Sequence, residues 1–165
     1  MSGEPLIILH VEDNDDHAEM VLRSLKEHRV ANQLIRVADG EAALAYLFRR
    51  PPYTDAQSSP RPNLVLLDLR LPKVDGLEVL REIKGSEDLR LIPVVILTTS
   101  AAEEDVARAY HNHANSYLQK PVDFERFAEM MQSLGYYWMA WNRDPRNNNS
   151  EQDSHEAPPS RPEAP

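Results

Sequence analysis

The chain has 165 residues, 41% of them hydrophobic, enough for one domain with a real core. Its net charge of −9 argues against nucleic acid, whose phosphates would be repelled, and leaves room for a partner with a basic surface. It has no Cys, which excludes disulfide and thiolate chemistry, and its first apolar run, Leu6–Val11, is too short for a signal-peptide core or a membrane span; a cytoplasmic location is expected.

Leu6–Val11 reads as a strand that runs into Glu12-Asp13. Ala18, Val21, Leu22 and Leu25 then recur at i, i+3, i+4 and i+7, one face of a helix with Asn14 as its cap. Gln33–Val37 is a short strand, and Asp39-Gly40 opens a second helix carrying Ala43, Leu44, Leu47 and Phe48. Between Arg49 and Pro62 the pattern breaks, with Pro51, Pro52, Pro60 and Pro62 framing a polar loop. Leu64–Leu67 is a strand ending at Asp68, and Asp75-Gly76 leads into a helix with Leu77, Leu80 and Ile83. Val94–Leu97 runs into Thr98, and Ser100-x-x-Glu103 matches a capping box for a helix through Tyr110. Tyr117–Gln119 runs into Lys120-Pro121, and Asp123 caps a last helix with Phe124, Phe127, Ala128, Met131 and Leu134 on one face. Residues 143–165 are polar and rich in proline and cannot bury enough surface to offset chain entropy, so a disordered tail is expected after a folded unit of residues 1–142.

Strands alternating with helices predict an α/β parallel sheet, and chemistry in such sheets gathers beyond the carboxyl ends of the strands. Topology thus brings Glu12, Asp13, Asp68, Thr98 and Lys120 toward one pocket. Asp68 closes a continuous apolar run of the kind buried on both sheet faces, where a carboxylate can act as a nucleophile toward phosphorus. Taken alone it reads better as a helix-capping or turn residue, since Pro72 and Asp75-Gly76 follow closely. Glu12 and Asp13 supply hard oxygen ligands for Mg²⁺, although acids also suit a helix N-terminus. Carboxylates about 5 Å apart repel by roughly 3 kcal/mol at an effective dielectric near 20, which favours a cation among them. Lys120 and Thr98 would donate to a bound phosphoryl group, and the Lys120-Pro121 bond, if cis, would aim the lysine.

The stretches I8-L9-H10-V11-E12-D13-N14, L64-V65-L66-L67-D68-L69-R70-L71-P72-K73-V74-D75-G76, V94-V95-I96-L97-T98-T99-S100 and S116-Y117-L118-Q119-K120-P121 together resemble a receiver domain of a two-component response regulator, over about Leu6 to Tyr137. The resemblance implies a flavodoxin-like, doubly wound, five-stranded parallel sheet in the order 2-1-3-4-5 with five helices. It also implies that Asp68 accepts phosphate from a sensor histidine kinase. Mg²⁺ would be held by Asp13, Asp68 and the backbone carbonyl of Arg70, with Glu12 acting through water. Thr98 would be the switch hydroxyl, Lys120 the phosphate-bound amine, and Tyr117 the aromatic that rotates on activation.

Departures from the family pattern carry expectations of their own. Thr99 stands where a small residue is common, which would narrow access and slow phosphate turnover. Arg70, two residues after Asp68, is placed to gate water or a partner. The 49–62 insertion and Leu97-Thr98-Thr99-Ser100 resemble single-domain regulators paired with bacterial phytochrome kinases. His10 is expected to be packed, and His111-x-His113 to lie at the surface without a third ligand.

The leading reading is a phosphorylation-switched signalling protein, not an enzyme, that passes its signal to a separate partner. Alternatives are a phosphate-relay intermediate or an aspartyl-phosphate phosphatase, which would place a second acid where Arg70 stands. A homodimer is expected through the last two helices and fifth strand, because Met130, Tyr137 and Trp141 fall off the stripe that covers the sheet.

Overall fold

The structure, a computed structural model, describes residues 6–27, 33–99, 103–114 and 116–120, together with Glu125, Arg126, Glu129 and Ser133. Strand β1 (Ile7–Val11) leads to helix α1 (Asp15–Glu27), then β2 (Gln33–Val37), α2 (Gly40–Leu47), β3 (Leu64–Leu67), α3 (Gly76–Gly85), β4 (Val94–Thr98), α4 (Glu103–His111) and β5 (Ser116–Gln119). Two of the expected caps are in place, while those expected at Ser100 and Asp123 lie outside the described residues. Asn14 Oδ1 accepts the His17 N–H at 3.0 Å, and Asp39 accepts the Ala42 N–H at 2.7 Å.

All strands pair in parallel, in the order β2-β1-β3-β4-β5, as the resemblance implies. The central strands β3 and β4 are buried throughout, which explains their unbroken apolar runs. Edge strand β2 keeps two exposed residues. The period of two sorts side chains into two cores. Leu9, Val11, Val65, Leu67, Val94 and Ile96 pack with residues of α2, α3 and α4. Ile8, Leu64, Leu66, Val95 and Leu97 pack with Val21 and Leu25 of α1. Each fully buried Leu or Ile contributes about 1.5–3 kcal/mol relative to exposure. The expected fifth helix lies outside the described residues apart from four isolated helical positions, as does the tail from 143 to 165.

The proline-framed loop is anchored to α2. Tyr46, itself buried, donates from its hydroxyl to Pro60 O at 2.6 Å, and its ring meets Tyr53 edge-on at 5.2 Å between centroids. These two contacts hold the loop against the end of α2.

Gly76 starts α3 because nothing larger fits there. A Cβ on it would stand 2.1 Å from Asp68 O and 2.6 Å from Leu69 Cα. Gly76→Ala should cost about 1–3 kcal/mol by overpacking. Because the clash falls on the backbone of Asp68, the variant should also accept phosphate more slowly than its lost stability accounts for. Urea melts and incorporation rates measured under conditions where the variant stays folded would show both effects.

Candidate functional site

The strand ladders extend one residue past β1, β3 and β5, and this sets the pocket. Glu12 N donates to Val37 O at 3.0 Å, Asp68 N to Val11 O at 3.1 Å, and Lys120 N to Thr98 O at 2.8 Å. Alternation from Ile8, Leu66 and Leu118 carries Glu12, Asp68 and Lys120 to the sheet face that α1 covers. Arg36 of β2 fixes the corner from outside. Its Nε and Nη2 donate to Glu12 O at 3.1 and 3.0 Å, and its Nη1 pairs with Asp15 at 2.8 Å.

Asp68 is held at both oxygens. Its Oδ1 accepts from Thr98 Oγ1 at 3.1 Å and from Arg70 N at 3.0 Å, and its Oδ2 accepts from Lys120 Nζ at 2.8 Å. The same ammonium lies 2.7 Å from Glu12 Oε1. Glu12, Asp68, Thr98 and Lys120 are all buried, whereas Asp13 is exposed. Lys120 thus bridges two of the three acids and already offsets part of the repulsion that the sequence reading assigned to a metal ion.

Burial pushes the Glu12 carboxyl up, from 4.5 to about 8, and the neighbouring Asp68 adds to the rise. Burial also acts upward on Asp68, but its hydrogen bonds with Glu12, Lys120 and the Arg70 N–H hold it below the ordinary value. The two acids are driven apart in role. Glu12 is pushed toward its protonated form, and Asp68 toward its ionised one. Burial, and then the Lys120 charge, drive His10 down to about 3, so it is neutral. Its Nδ1 is buried without a hydrogen-bond partner, in keeping with a packed histidine and not a ligand.

One carboxylate oxygen each from Glu12, Asp13 and Asp68 lie within 4.8 Å of one another, and Glu12 Oε2 is buried without a partner. Hard oxygens at this spacing with one unsatisfied atom fit a divalent cation. His111 and His113 sit exposed at the end of α4 and join no such cluster among the described residues.

Known proteins agree with this geometry. The model of the response regulator receiver domain family matches residues 8–132. The chain belongs to that family. It is similar to a probable methanogenesis regulatory protein, FilR2, of Methanothrix harundinacea, at 50% identity over 86% of this chain and 89% of that protein. It is also similar to the response regulator Rcp1 of Synechocystis, at 45% identity over 84% of this chain and 92% of Rcp1. The crystal structure of Rcp1 in its Mn²⁺-bound form superposes with a TM-score of 0.79, covering 86% of this chain and 99% of that one at 44% identity. The phosphorylated cyanobacterial phytochrome response regulator RcpA superposes with a TM-score of 0.81 over the same shares at 36% identity. Receiver domains are signalling modules that carry a divalent-metal site and take part in phosphoryl chemistry.

In this receiver, Tyr117 is half-buried and packs against the core cluster that includes Ile96. Arg70 reaches away from Asp68, its Nη2 lying 2.9 Å from Asp105 Oδ2 on α4. Two residues near the pocket escaped the sequence reading. His17 Nδ1 is 2.9 Å from Glu12 Oε1 and 3.1 Å from Lys120 Nζ. The signal for it was present: His17 stands four residues before Val21 and eight before Leu25, on the stripe of α1 that covers this face. Arg36 gave no comparable signal, because a charged residue on an edge strand looks like solvent-facing surface. Ser100, Pro121 and thus the Lys120–Pro121 bond lie outside the described residues.

Proposed function

We propose that the protein works as a single-domain response regulator whose phosphoacceptor is Asp68. The supporting observation is the buried carboxylate held between Lys120 Nζ and Thr98 Oγ1, beside a cluster of acids. An Asp68 oxygen attacks the phosphorus of a phosphohistidine. The new O–P bond forms as the P–N bond breaks, and the electron pair leaves with the imidazole. Asp13, Asp68 and the Arg70 carbonyl would hold Mg²⁺, with Glu12 acting through water, and the bound ion would supply positive charge against the phosphoryl oxygens. Thr98 and Tyr117 carry the switch, and Lys120 binds the phosphoryl group. Arg70 in place of a second acid speaks against phosphatase turnover of outside esters, and we assign no such activity.

We further propose a sensor histidine kinase of the bacterial phytochrome type as donor, since RcpA is a phytochrome response regulator. We also propose a cytoplasmic location. Among the described residues no helix is long and apolar enough to cross a membrane. Residues 1–142 form the receiver and 143–165 a polar tail, and neither nucleic acid nor membrane is a partner. A separate, unidentified protein receives the signal. We place a homodimer contact on α4, β5 and the last helix. Edge strand β5 pairs only with β4 among the described strands, and Tyr110 on α4 is exposed, while Met130, Tyr137 and Trp141 lie outside the described residues.

A labelled phytochrome-type kinase should pass its phosphoryl group to this protein, and light scattering at tens of micromolar should report a mass of two chains. Transfer only from kinases of another class would overturn the pairing. A one-chain mass with and without phosphorylation would overturn the dimer.

A further inference from the structure

Residues 12–15 join β1 to α1, and they include Asp13, the exposed acid of the site. The chain leaves the sheet here. Glu12 N still donates to Val37 O, but β2 ends at Val37, and Arg36 supplies the donors that Glu12 O would next have taken from the ladder. Arg36 Nε and Nη2 both donate to Glu12 O, at 3.1 and 3.0 Å, and Nη1 lies 2.8 Å from Asp15 Oδ1. One planar guanidinium thus ties both ends of the turn, and Asp13 lies between the two anchors. The Arg36 side chain is 32% exposed, and its partner across the ladder is the buried His10, so the clamp is set into the sheet face and not laid over it. Such a fork acts on a cation at Glu12, Asp13 and Asp68 in two opposite ways. Its positive charge opposes the ion. Its geometry presets the turn, so that little ordering is left for the moment of binding. The charge is partly solvated and already paired with Asp15, which leaves geometry as the larger effect.

We propose that Arg36 is a positioning residue for the divalent cation: by clamping Glu12 O and Asp15 it fixes where Asp13 offers its carboxylate. The inference rests on a metal site at Glu12, Asp13 and Asp68. Arg36 grips the backbone of one of these acids and the side chain of a residue outside the set, and its polar contacts leave Asp68, Thr98 and Lys120 untouched. Its loss therefore weakens the hold on the ion and leaves the phosphoryl step unchanged once the ion is bound.

Mg²⁺ is titrated into the full chain by calorimetry, and incorporation from acetyl phosphate is followed by intact mass over a range of Mg²⁺ concentrations. Arg36→Lys keeps the charge and gives up the fork. It should weaken Mg²⁺ binding about tenfold, the low end of what losing a group that orients a metal ligand costs. The Mg²⁺ needed for half-maximal incorporation should rise by the same factor, while the rate at saturating Mg²⁺ stays at the wild-type value. A folded Arg36→Lys with wild-type Mg²⁺ affinity, or one whose loss of rate persists at saturating Mg²⁺, would overturn the proposal. Arg36→Met loses the charge as well and should still bind Mg²⁺ more weakly than wild type. Tighter binding would mean that charge outweighs geometry, and the proposal would fall. The wild-type protein gives a further readout that needs no variant to fold. The Arg36 Nε–H should exchange with solvent more slowly than that of Arg81, whose side chain is 63% exposed. Equal exchange would remove the clamp and the proposal with it. A wild-type chain that binds no Mg²⁺ would instead overturn the metal site itself, and this inference along with it.

Discussion

Asp68→Asn should abolish phosphoryl incorporation from a small acyl phosphate with Mg²⁺, as read by intact mass. The amide keeps an oxygen to accept from Thr98 and Arg70 N, so the loop should hold its shape. What is lost is the anionic nucleophile, which no amide replaces. Lys120→Ala should slow incorporation by about a hundredfold, the usual cost of removing one donor from a site where charge develops. That variant also leaves Glu12 and Asp68 without the ammonium that bridges them. Glu12 already favours its protonated form, which limits the damage to stability. Incorporation that survives in Asp68→Asn would show that another residue takes the phosphate.

Mg²⁺ should raise the melting temperature of the unphosphorylated protein. Linkage gives about 2.7 kcal/mol at a hundredfold excess over the dissociation constant. The effect should depend on pH, with a definite sign. Without metal, the folded chain binds a proton on Glu12 up to about pH 8, whereas the unfolded chain releases it near 4.5. The stability contributed by that proton is fully present below about 4.5 and is lost as pH rises through about 8. A cation at these carboxylates competes with the proton, so the Mg²⁺-dependent shift should grow as pH approaches 8. Asp13→Ala should remove most of the shift and flatten its pH dependence. Equal melting temperatures with Mg²⁺ and with EDTA would argue against a metal site.

Much of this was legible in the sequence because it follows from periodicity. The short apolar runs of β3 and β4 between helical patterns read as buried parallel strands, and they carry Asp68, one residue past β3, and Thr98, the last of β4, into the pocket. The helix starts at Asn14 and Asp39 were legible because a cap is a local hydrogen bond between near neighbours. Three features were not. That Lys120 stands between Glu12 and Asp68 depends on how far β5 runs before it ends, a matter of tertiary register. The grip of Arg36 on Glu12 O and of Arg70 on Asp105 join elements through long side chains, whose direction no periodicity encodes. The 49–62 segment was legible as a loop, but its attachment through Tyr46 to Pro60 was not, because a tyrosine on a helix gives no sign of which carbonyl will meet it.

The bridging ammonium also fixes how much net charge the pocket holds in each state. With Glu12 protonated, the charges of Asp13, Asp68 and Lys120 leave the resting site one unit negative. A divalent cation that displaces the Glu12 proton leaves the site neutral, and replacing the Asp68 charge by an acyl-phosphate dianion makes it one unit negative again. The pocket therefore stays within one unit of zero in each of these states. Occupied in the other order, phosphoryl before cation, it would stand two units negative, with only Asp13 exposed to solvent, so the charge balance favours metal first.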